Sequence, residues 1–216
     1  MVTVALRALV LAIGTSLLAM LGGTHPAAAR EIAVLTDGDT FGSWQVVFAG
    51  YGAVNATNRW LNLRPAVAEA AESTHAALVV SAERVSRISS RVRLNEQLRT
   101  TTPANPWETG WLIAGYTDPE HFYYVACKTN GWELGKRDPE YPGGQRFLAT
   151  GDDPCARLAQ ATRVQLVHRG SRLIVKINKE VAVTFTDDER AYRSGRAGLY
   201  TEDADVTFDR IVMTSV

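Results

Sequence analysis

The sequence predicts an all-β fold, built as a sandwich of two antiparallel sheets. Short apolar runs rich in Val, Ile, Leu and aromatic residues recur along the chain, and Gly, Pro, Asn and Asp separate them. Helix signals are confined to two short segments, 65–74 and 154–159. Many short strands at regular spacing indicate an antiparallel sandwich or barrel. A two-sheet jelly roll accommodates them most economically.

Residues 1–29 have the features of a signal peptide. Arg7 precedes an apolar run, residues 8–23, and an A-x-A cleavage site ends at Ala29. The run is interrupted by glycine and is too short for a membrane span of about 20 apolar residues. An uncleaved N-terminal anchor is the alternative. We therefore expect a single mature domain, residues 30–216, that is secreted or held in the cell envelope and has no stable membrane insertion after cleavage.

The charge balance argues against two classes of partner. The chain has 23 basic and 23 acidic residues, and Arg7 is the only charged residue in the predicted signal peptide. The mature domain therefore keeps 22 basic and 23 acidic residues, a net charge of −1. A nucleic-acid binder normally shows a basic excess. We expect neither nucleic-acid binding nor electrostatic membrane binding.

Strands in the first half of the domain follow from apolar runs and from alternation. They are expected at 43–49, 59–65, 75–82 and 87–94. In the last of these, strict alternation places Ile88, Val92 and Leu94 on one face and three arginines on the other. Such a strand covers a core with one face and meets solvent with the other.

The second half continues the pattern with clearer turn signals. A Pro-containing turn, 117–120, separates strands at 108–116 and 121–128, and Asn130-Gly131 gives the strongest hairpin signal within 128–138. A short strand is expected at 145–149 inside a long loop. Three strands fill 162–188, and the final two lie at 195–200 and 205–213.

The two cysteines, Cys127 and Cys155, are expected to form a disulfide. An exported chain meets an oxidising compartment, where two cysteines often pair. A reactive thiolate would need a neighbouring base, and nothing in the sequence spacing supplies one. Free buried thiols are the remaining option.

The C-terminal half resembles the concanavalin A-like jelly-roll superfamily. Three motifs carry the resemblance, in this order from about Gly110 to Met213: "TDPEHFYYVACKTNGWELGKRD", "RLIVKINKEVAVTFTDD" and "GRAGLYTEDADVTFDRIVM". The chain is most similar there to LamG-like and 3-keto-disaccharide-hydrolase-like domains of secreted bacterial proteins, some of which are described as calcium-binding. The resemblance implies a ligand groove on one sheet face and an extracellular or cell-wall glycan as partner.

The candidate glycan-binding residues are rings and charges that cluster in adjacent strands. A sugar needs flat apolar rings and polar planar groups, and the stretch around the Asn-Gly turn offers both. The predicted ligand-binding residues are Trp107, Glu108, Trp111, Tyr123, Lys128, Trp132 and Lys136. Alternation does not tell which strand face is concave. The competing interpretation is that the rings belong to the core.

An enzyme is the alternative function, and an interaction module with an empty groove is a third. A polysaccharide lyase or glycoside hydrolase acting in the same groove would need paired carboxylates or a Tyr or His base. Glu108, Glu133 and Glu202 are candidate carboxylates, but the E-x-D-x-x-E strand of laminarinase-like jelly rolls is missing from the sequence.

A structural Ca²⁺ is the expected cofactor. The resemblance implies a site where the first and last strands lie side by side, and Ca²⁺ takes six to eight hard oxygen ligands. Asp37 and Asp39 flank Gly38 near the start of the domain, and Asp209 lies in the final strand. The competing interpretation is that "DGD" is only a turn and Asp209 only a surface residue.

Overall fold

The computed structural model describes residues 31–70 and 73–215. The predicted signal peptide lies outside the described residues. These residues form fifteen strands and one 3-10 turn, Pro142–Gly144. The strands are Ala33–Leu35 (β1), Thr40–Phe41 (β2), Trp44–Phe48 (β3), Ala53–Thr57 (β4), Trp60–Arg64 (β5), Ala76–Gln97 (β6), Gly110–Asp118 (β7), His121–Lys128 (β8), Gly131–Arg137 (β9), Gln145–Gly151 (β10), Ala161–Arg169 (β11), Arg172–Ile177 (β12), Glu180–Thr186 (β13), Arg196–Glu202 (β14) and Ala204–Ser215 (β15).

Two antiparallel sheets share one long strand. Sheet A has the order β1-β4-β5-β15-β6-β11-β12-β13. Sheet B has the order β2-β3-β6-β14-β7-β8-β9-β10. The first part of β6 pairs with β14 and β3, and its second part pairs with β15 and β11. The two strands expected at 75–82 and 87–94 are therefore one continuous strand that passes from sheet B into sheet A.

The main core lies between the two sheets. Sheet A contributes fully buried residues such as Leu63, Ile88 and Phe208, and sheet B contributes Val79 and Leu199. We call the side of sheet B that faces sheet A its inner face. Along each strand of sheet B, the residues that alternate with these inward-facing ones then lie on the outer face of the sheet.

The outer face of sheet B is also apolar. A second cluster there contains buried residues from β6, β7 and β8, among them Val80, Ile113 and Tyr124. An antiparallel sheet that merely covers a core usually shows polar residues on its other side. An apolar layer outside the sandwich is therefore the feature of this fold that most needs a functional explanation.

Turn and helix predictions had different outcomes. The Asn130-Gly131 hairpin is confirmed, since Lys128 pairs with Gly131 at the start of the β8–β9 ladder. Neither short helix signal produced a helix among the described residues. Within residues 31–70 and 73–215, no helix is long and apolar enough to cross a membrane.

Candidate functional site

A layer of aromatic rings covers the middle of the outer face of sheet B. We call this the aromatic layer, and its members are Trp111, Tyr116, Phe122, Tyr124 and Tyr200. Trp111 stacks on Tyr124 with ring centroids 4.7 Å apart and contacts Tyr200 at 5.0 Å. Phe122 joins Tyr124 to Tyr116 with centroid distances of 6.5 and 6.2 Å. The rings form one continuous surface across strands β14, β7 and β8.

Alternation and one glycine build this layer. In β8 the odd-numbered Tyr123 and Val125 enter the inner core, and Phe122 and Tyr124 therefore lie outside. Gly135 is the partner of Tyr124 in β9. A Cβ at Gly135 would lie 2.1 Å from the Tyr124 ring. The glycine therefore lets the Tyr124 ring lie flat against the neighbouring strand.

Polar groups border the rings on the same face. Glu133 accepts a hydrogen bond from the Tyr124 hydroxyl at 2.8 Å and a charged one from Lys128 Nζ at 3.2 Å. The Gln145 amide also donates to the Tyr124 hydroxyl. On the other side, Glu202 accepts from the Tyr200 hydroxyl at 2.6 Å. Ring faces, carboxylates, an amide and an ammonium group thus share one surface.

The surroundings of Glu202 raise its pKa. Burial raises the pKa of Glu202 above its usual range, and the nearby Asp203 and Glu108 carboxylates raise it further. The hydrogen bond from Tyr200 opposes this shift. Burial likewise raises the pKa of Tyr200 well above its usual value, so its hydroxyl keeps its proton and stays a donor. Glu202 therefore has a raised proton affinity at the edge of the aromatic layer.

Two exposed rings lie at the margins of the layer. Trp107 is 44% exposed, and its carbonyl accepts a hydrogen bond from the Trp111 indole at 2.8 Å. Phe147 is 68% exposed and pairs with Gly135, which places it on the same face as Tyr124. These two extend the layer toward solvent in two directions.

Glu108 has a different role from the predicted one. It is fully buried and pairs with Arg99 at 2.6 Å, and Arg99 also pairs with Asp203 at 2.5 Å. The Asn105 amide donates to the same Glu108 oxygen at 2.8 Å. These contacts fix the loop that carries Trp107. Glu108 is therefore a positioning residue that cannot touch a ligand in this structure.

Three of the predicted ligand-binding residues lie on the inner side of sheet B. Tyr123 and Lys136 are fully buried, and Trp132 packs against the inner core. Lys136 Nζ donates to Asp187 at 2.9 Å and to two backbone carbonyls at 2.8 Å. The Tyr123 hydroxyl donates to the same Asp187 carboxylate at 2.5 Å. This buried network corrects the sequence interpretation, because these side chains cannot line the same surface as Trp111.

Trp107, Trp111 and Lys128 are the predicted residues that the outer face keeps. Trp111 is at the centre of the aromatic layer, although only 7% of its surface is exposed, and Lys128 is half-buried beside Glu133. The sequence interpretation missed Tyr124, Tyr200 and Phe147. The strand alternation that places Tyr124 beside Lys128 was the available signal for one of them.

The disulfide prediction is confirmed. Cys127 and Cys155 are bonded, with Cα atoms 5.0 Å apart and 28 residues of separation. The Lys128 carbonyl accepts hydrogen bonds from the backbone N–H groups of Cys155 and Ala156 at 3.1 and 2.9 Å. The bond and these contacts hold the long loop against the end of β8.

The three aspartates of the predicted calcium site have separate partners. Asp37 accepts a hydrogen bond from the Ala49 N–H at 2.7 Å, and Asp39 accepts one from the Thr36 N–H at 2.8 Å. Asp209 lies 3.6 Å from the Arg91 guanidinium. In the described part of the chain, no three His, Cys, Asp or Glu side chains are grouped so that they could hold a metal ion. These aspartates therefore do not form a common carboxylate set, and Ca²⁺ stays a prediction.

Comparison with solved structures identifies the fold. No protein-family model matches the chain, and no curated protein matches it by sequence. The chain is similar to carbohydrate binding module CBM66 from Bacillus subtilis, with a TM-score of 0.54 and 15% identity over 73% of this chain and 98% of that one. The fold is a concanavalin A-like jelly roll.

Two further structures share this jelly roll. The carbohydrate recognition domain of Emp46p, in a metal-free form, has a TM-score of 0.53 and 10% identity over 81% of this chain and 89% of that one. A sialidase matches with a TM-score of 0.51 and 8% identity over 81% of this chain but only 17% of its own. Identities this low establish the jelly-roll architecture and nothing about the ligand.

Proposed function

We propose that this protein is a glycan-binding jelly-roll domain whose binding surface is the outer face of sheet B. The observation that carries the proposal is the aromatic layer, with its carboxylates, amide and ammonium group on the same face. A sugar presents apolar C–H faces to rings and hydroxyls to polar planar groups. The jelly-roll structures named for carbohydrate binding or recognition support the same function by analogy of fold.

The half-buried and exposed side chains of this surface are the ones that contact a sugar directly. Tyr200 and Glu202 lie on β14 and are half-buried. Trp107 and Phe147 are exposed at the margins. Tyr124 is fully buried, so it supports the surface from below. We expect a ligand to lie over Tyr200 and Trp111 and to exchange hydrogen bonds with Glu202 or Glu133.

The alternative is a polysaccharide lyase or glycoside hydrolase in the same place. One observation favours it, because the raised pKa of Glu202 suits a general acid. The position of Glu133 weighs against a direct pair. Strands β14 and β9 are three strand spacings apart, roughly 14 Å at the usual spacing. That separation exceeds the roughly 6.5–9.5 Å between the carboxyl groups of inverting glycosidases.

A glycan array followed by product analysis separates the two functions. The mature domain, residues 30–216, is screened on plant, bacterial cell-wall and marine glycans, and the best ligand is then incubated with it. The proposal predicts retention of the glycan with its length unchanged. Shortened or unsaturated products that disappear in Glu202→Gln would establish the enzyme instead. Absence of binding to every glycan class would contradict both functions.

Two finer parts of the proposal rest on the sequence. Export depends on the signal peptide at residues 1–29, and the disulfide supports it because such bonds persist in oxidising compartments. A structural Ca²⁺ would involve Asp37, Asp39 or Asp209 together with backbone carbonyls. We assign no step of glycan binding to the metal.

A further inference from the structure

A tyrosine between two glycines is the most exposed ring of the described chain. Tyr51 is 91% exposed in the turn between β3 and β4. Its φ is +59°, a left-handed conformation that a bulky residue rarely adopts. A residue in such a conformation persists only where its surroundings impose it, and these residues cluster at functional sites.

The turn around Tyr51 is fixed by close packing of its backbone. A Cβ at Gly50 would lie 2.3 Å from the Ala76 carbonyl oxygen, and one at Gly52 would lie 2.0 Å from the Arg64 carbonyl oxygen. The Gly50 carbonyl accepts a hydrogen bond from the Ala66 N–H at 2.9 Å. The ring is therefore held out into solvent on a rigid turn. Since the backbone of the turn is already fixed, a ligand that binds the ring does not have to order it.

An imidazole with a defined orientation lies beside the ring. The Tyr51 and His75 ring centroids are 5.2 Å apart with an interplanar angle of 63°. His75 Nδ1 lies 3.0 Å from the Ala66 carbonyl, which only accepts hydrogen bonds, so Nδ1 carries a proton. In the neutral ring, Nε2 is then left as an acceptor.

A pocket of about 560 Å³ opens between these two rings and the start of the domain. Phe48 and Asp37 line it together with Tyr51 and His75. One carboxylate oxygen of Asp37 accepts from the Ala49 N–H at 2.7 Å. No second partner of this carboxylate occurs among the described residues. The pocket thus combines ring faces with a carboxylate and an imidazole acceptor.

The pocket continues the proposed binding face. Phe48 lines the pocket and also contacts Tyr200, with centroids 6.4 Å apart. Ala76, another lining residue, pairs with Glu202 in the β6–β14 ladder. Strands β3 and β7 are three strand spacings apart, so the backbones of Phe48 and Trp111 are roughly 14 Å apart across the sheet. That distance suits several linked sugar rings better than one.

We propose that Tyr51, His75 and Asp37 form a second sugar-binding subsite that takes another residue of the same oligosaccharide. The Tyr51 ring stacks on the apolar face of a sugar, and the Asp37 carboxylate and His75 Nε2 accept hydrogen bonds from its hydroxyls. This inference rests on the proposed glycan-binding function. It adds a preference for chains long enough to reach from Tyr200 to Tyr51.

The test compares short and long ligands by isothermal titration calorimetry. The probes are the disaccharides and hexasaccharides of the cello-, laminari- and alginate series. In the series that the wild-type protein binds, Tyr51→Gly should weaken the hexasaccharide about tenfold and change the disaccharide by less than about twofold. Tyr200→Ala should weaken both ligands. Tyr51→Phe should keep wild-type affinity because it keeps the ring.

Two controls separate binding from folding. Tyr51→Gly removes the left-handed strain, so its melting temperature should equal or exceed that of the wild type. Tyr141→Ala truncates another exposed tyrosine, which does not line this pocket, and should leave affinity unchanged.

The possible failures are distinguishable. Unchanged hexasaccharide affinity in Tyr51→Gly, with weakened binding in Tyr200→Ala, overturns the second subsite and leaves the proposed function intact. A wild-type protein that binds none of the three hexasaccharides overturns the second subsite, and one that also binds no glycan of the array overturns the proposed function as well.

Discussion

Replacing Lys136 by methionine tests whether this residue stabilises the fold or binds a ligand. Lys136 is fully buried and donates three hydrogen bonds, to Asp187 and to the carbonyls of Glu189 and Arg190, at 2.8–2.9 Å. Methionine fills a similar volume but leaves these acceptors without their cation. We therefore expect Lys136→Met to destabilise the domain and to leave glycan affinity unchanged.

The size of the expected stability loss in Lys136→Met depends on which partners Asp187 keeps. Removing one member of a buried ion pair costs about 3–5 kcal/mol. Arg146 still contacts Asp187 at 3.2 Å in the variant, so the lower end, about 3 kcal/mol, is expected. For a domain of this size, that free-energy change lowers the melting temperature by roughly 6–12 °C.

Urea and thermal unfolding of the oxidised mature domain provide the assay. Lys176→Met is the matched control, because Lys176 is a half-buried lysine of sheet A. Its effect on the free energy of unfolding should stay within about 0.5 kcal/mol. If Lys136→Met is as stable as the wild type but no longer binds glycan, Lys136 is a ligand-binding residue and the buried-network interpretation fails.

Three further predictions concern stability. Replacing both Cys127 and Cys155 by alanine should lower the free energy of unfolding by about 3.5 kcal/mol, since the bond closes a loop of 28 residues; unfolding midpoints equal to those of the wild type would contradict this. Burial alone would raise the pKa of Asp187, but hydrogen bonds from Tyr123 and Lys136 lower it below its usual range. Stability from Asp187 should therefore be present above about pH 4 and be lost as the pH falls further; acid unfolding that is unchanged in Asp187→Asn would refute the assignment. If Ca²⁺ is structural, Ca²⁺ should raise the melting temperature relative to EGTA, and Asp209→Ala should remove the difference; equal melting temperatures would reject the site.

The sequence predicted the architecture well because alternation and turn chemistry act locally. The Asn130-Gly131 hairpin and the Cys127–Cys155 bond followed from such signals and from the expected compartment. Alternation fixed which residues share a face, but it carried no information on which face would meet the other sheet. Trp111 and Tyr123 were therefore grouped together, although the structure places them on opposite faces.

Residues whose role depends on distant partners were the hardest to interpret. Lys136 and Glu108 look like surface charges in the sequence, and only tertiary packing brings them against Asp187 and Arg99. Tyr51 lies in a turn, outside the alternating strand patterns that identified the other candidate binding residues. Its role became visible when the structure showed an exposed ring on a strained turn beside a pocket.

Mapping a bound glycan onto the domain tests the central claim most directly. Amide chemical shifts of the isotope-labelled mature domain are recorded during titration with the best glycan from the array. Binding at the outer face of sheet B predicts the largest changes around Tyr200, Trp111 and Glu133, with sheet A unaffected. Changes confined to sheet A, or to loops away from the aromatic layer, would contradict the claim.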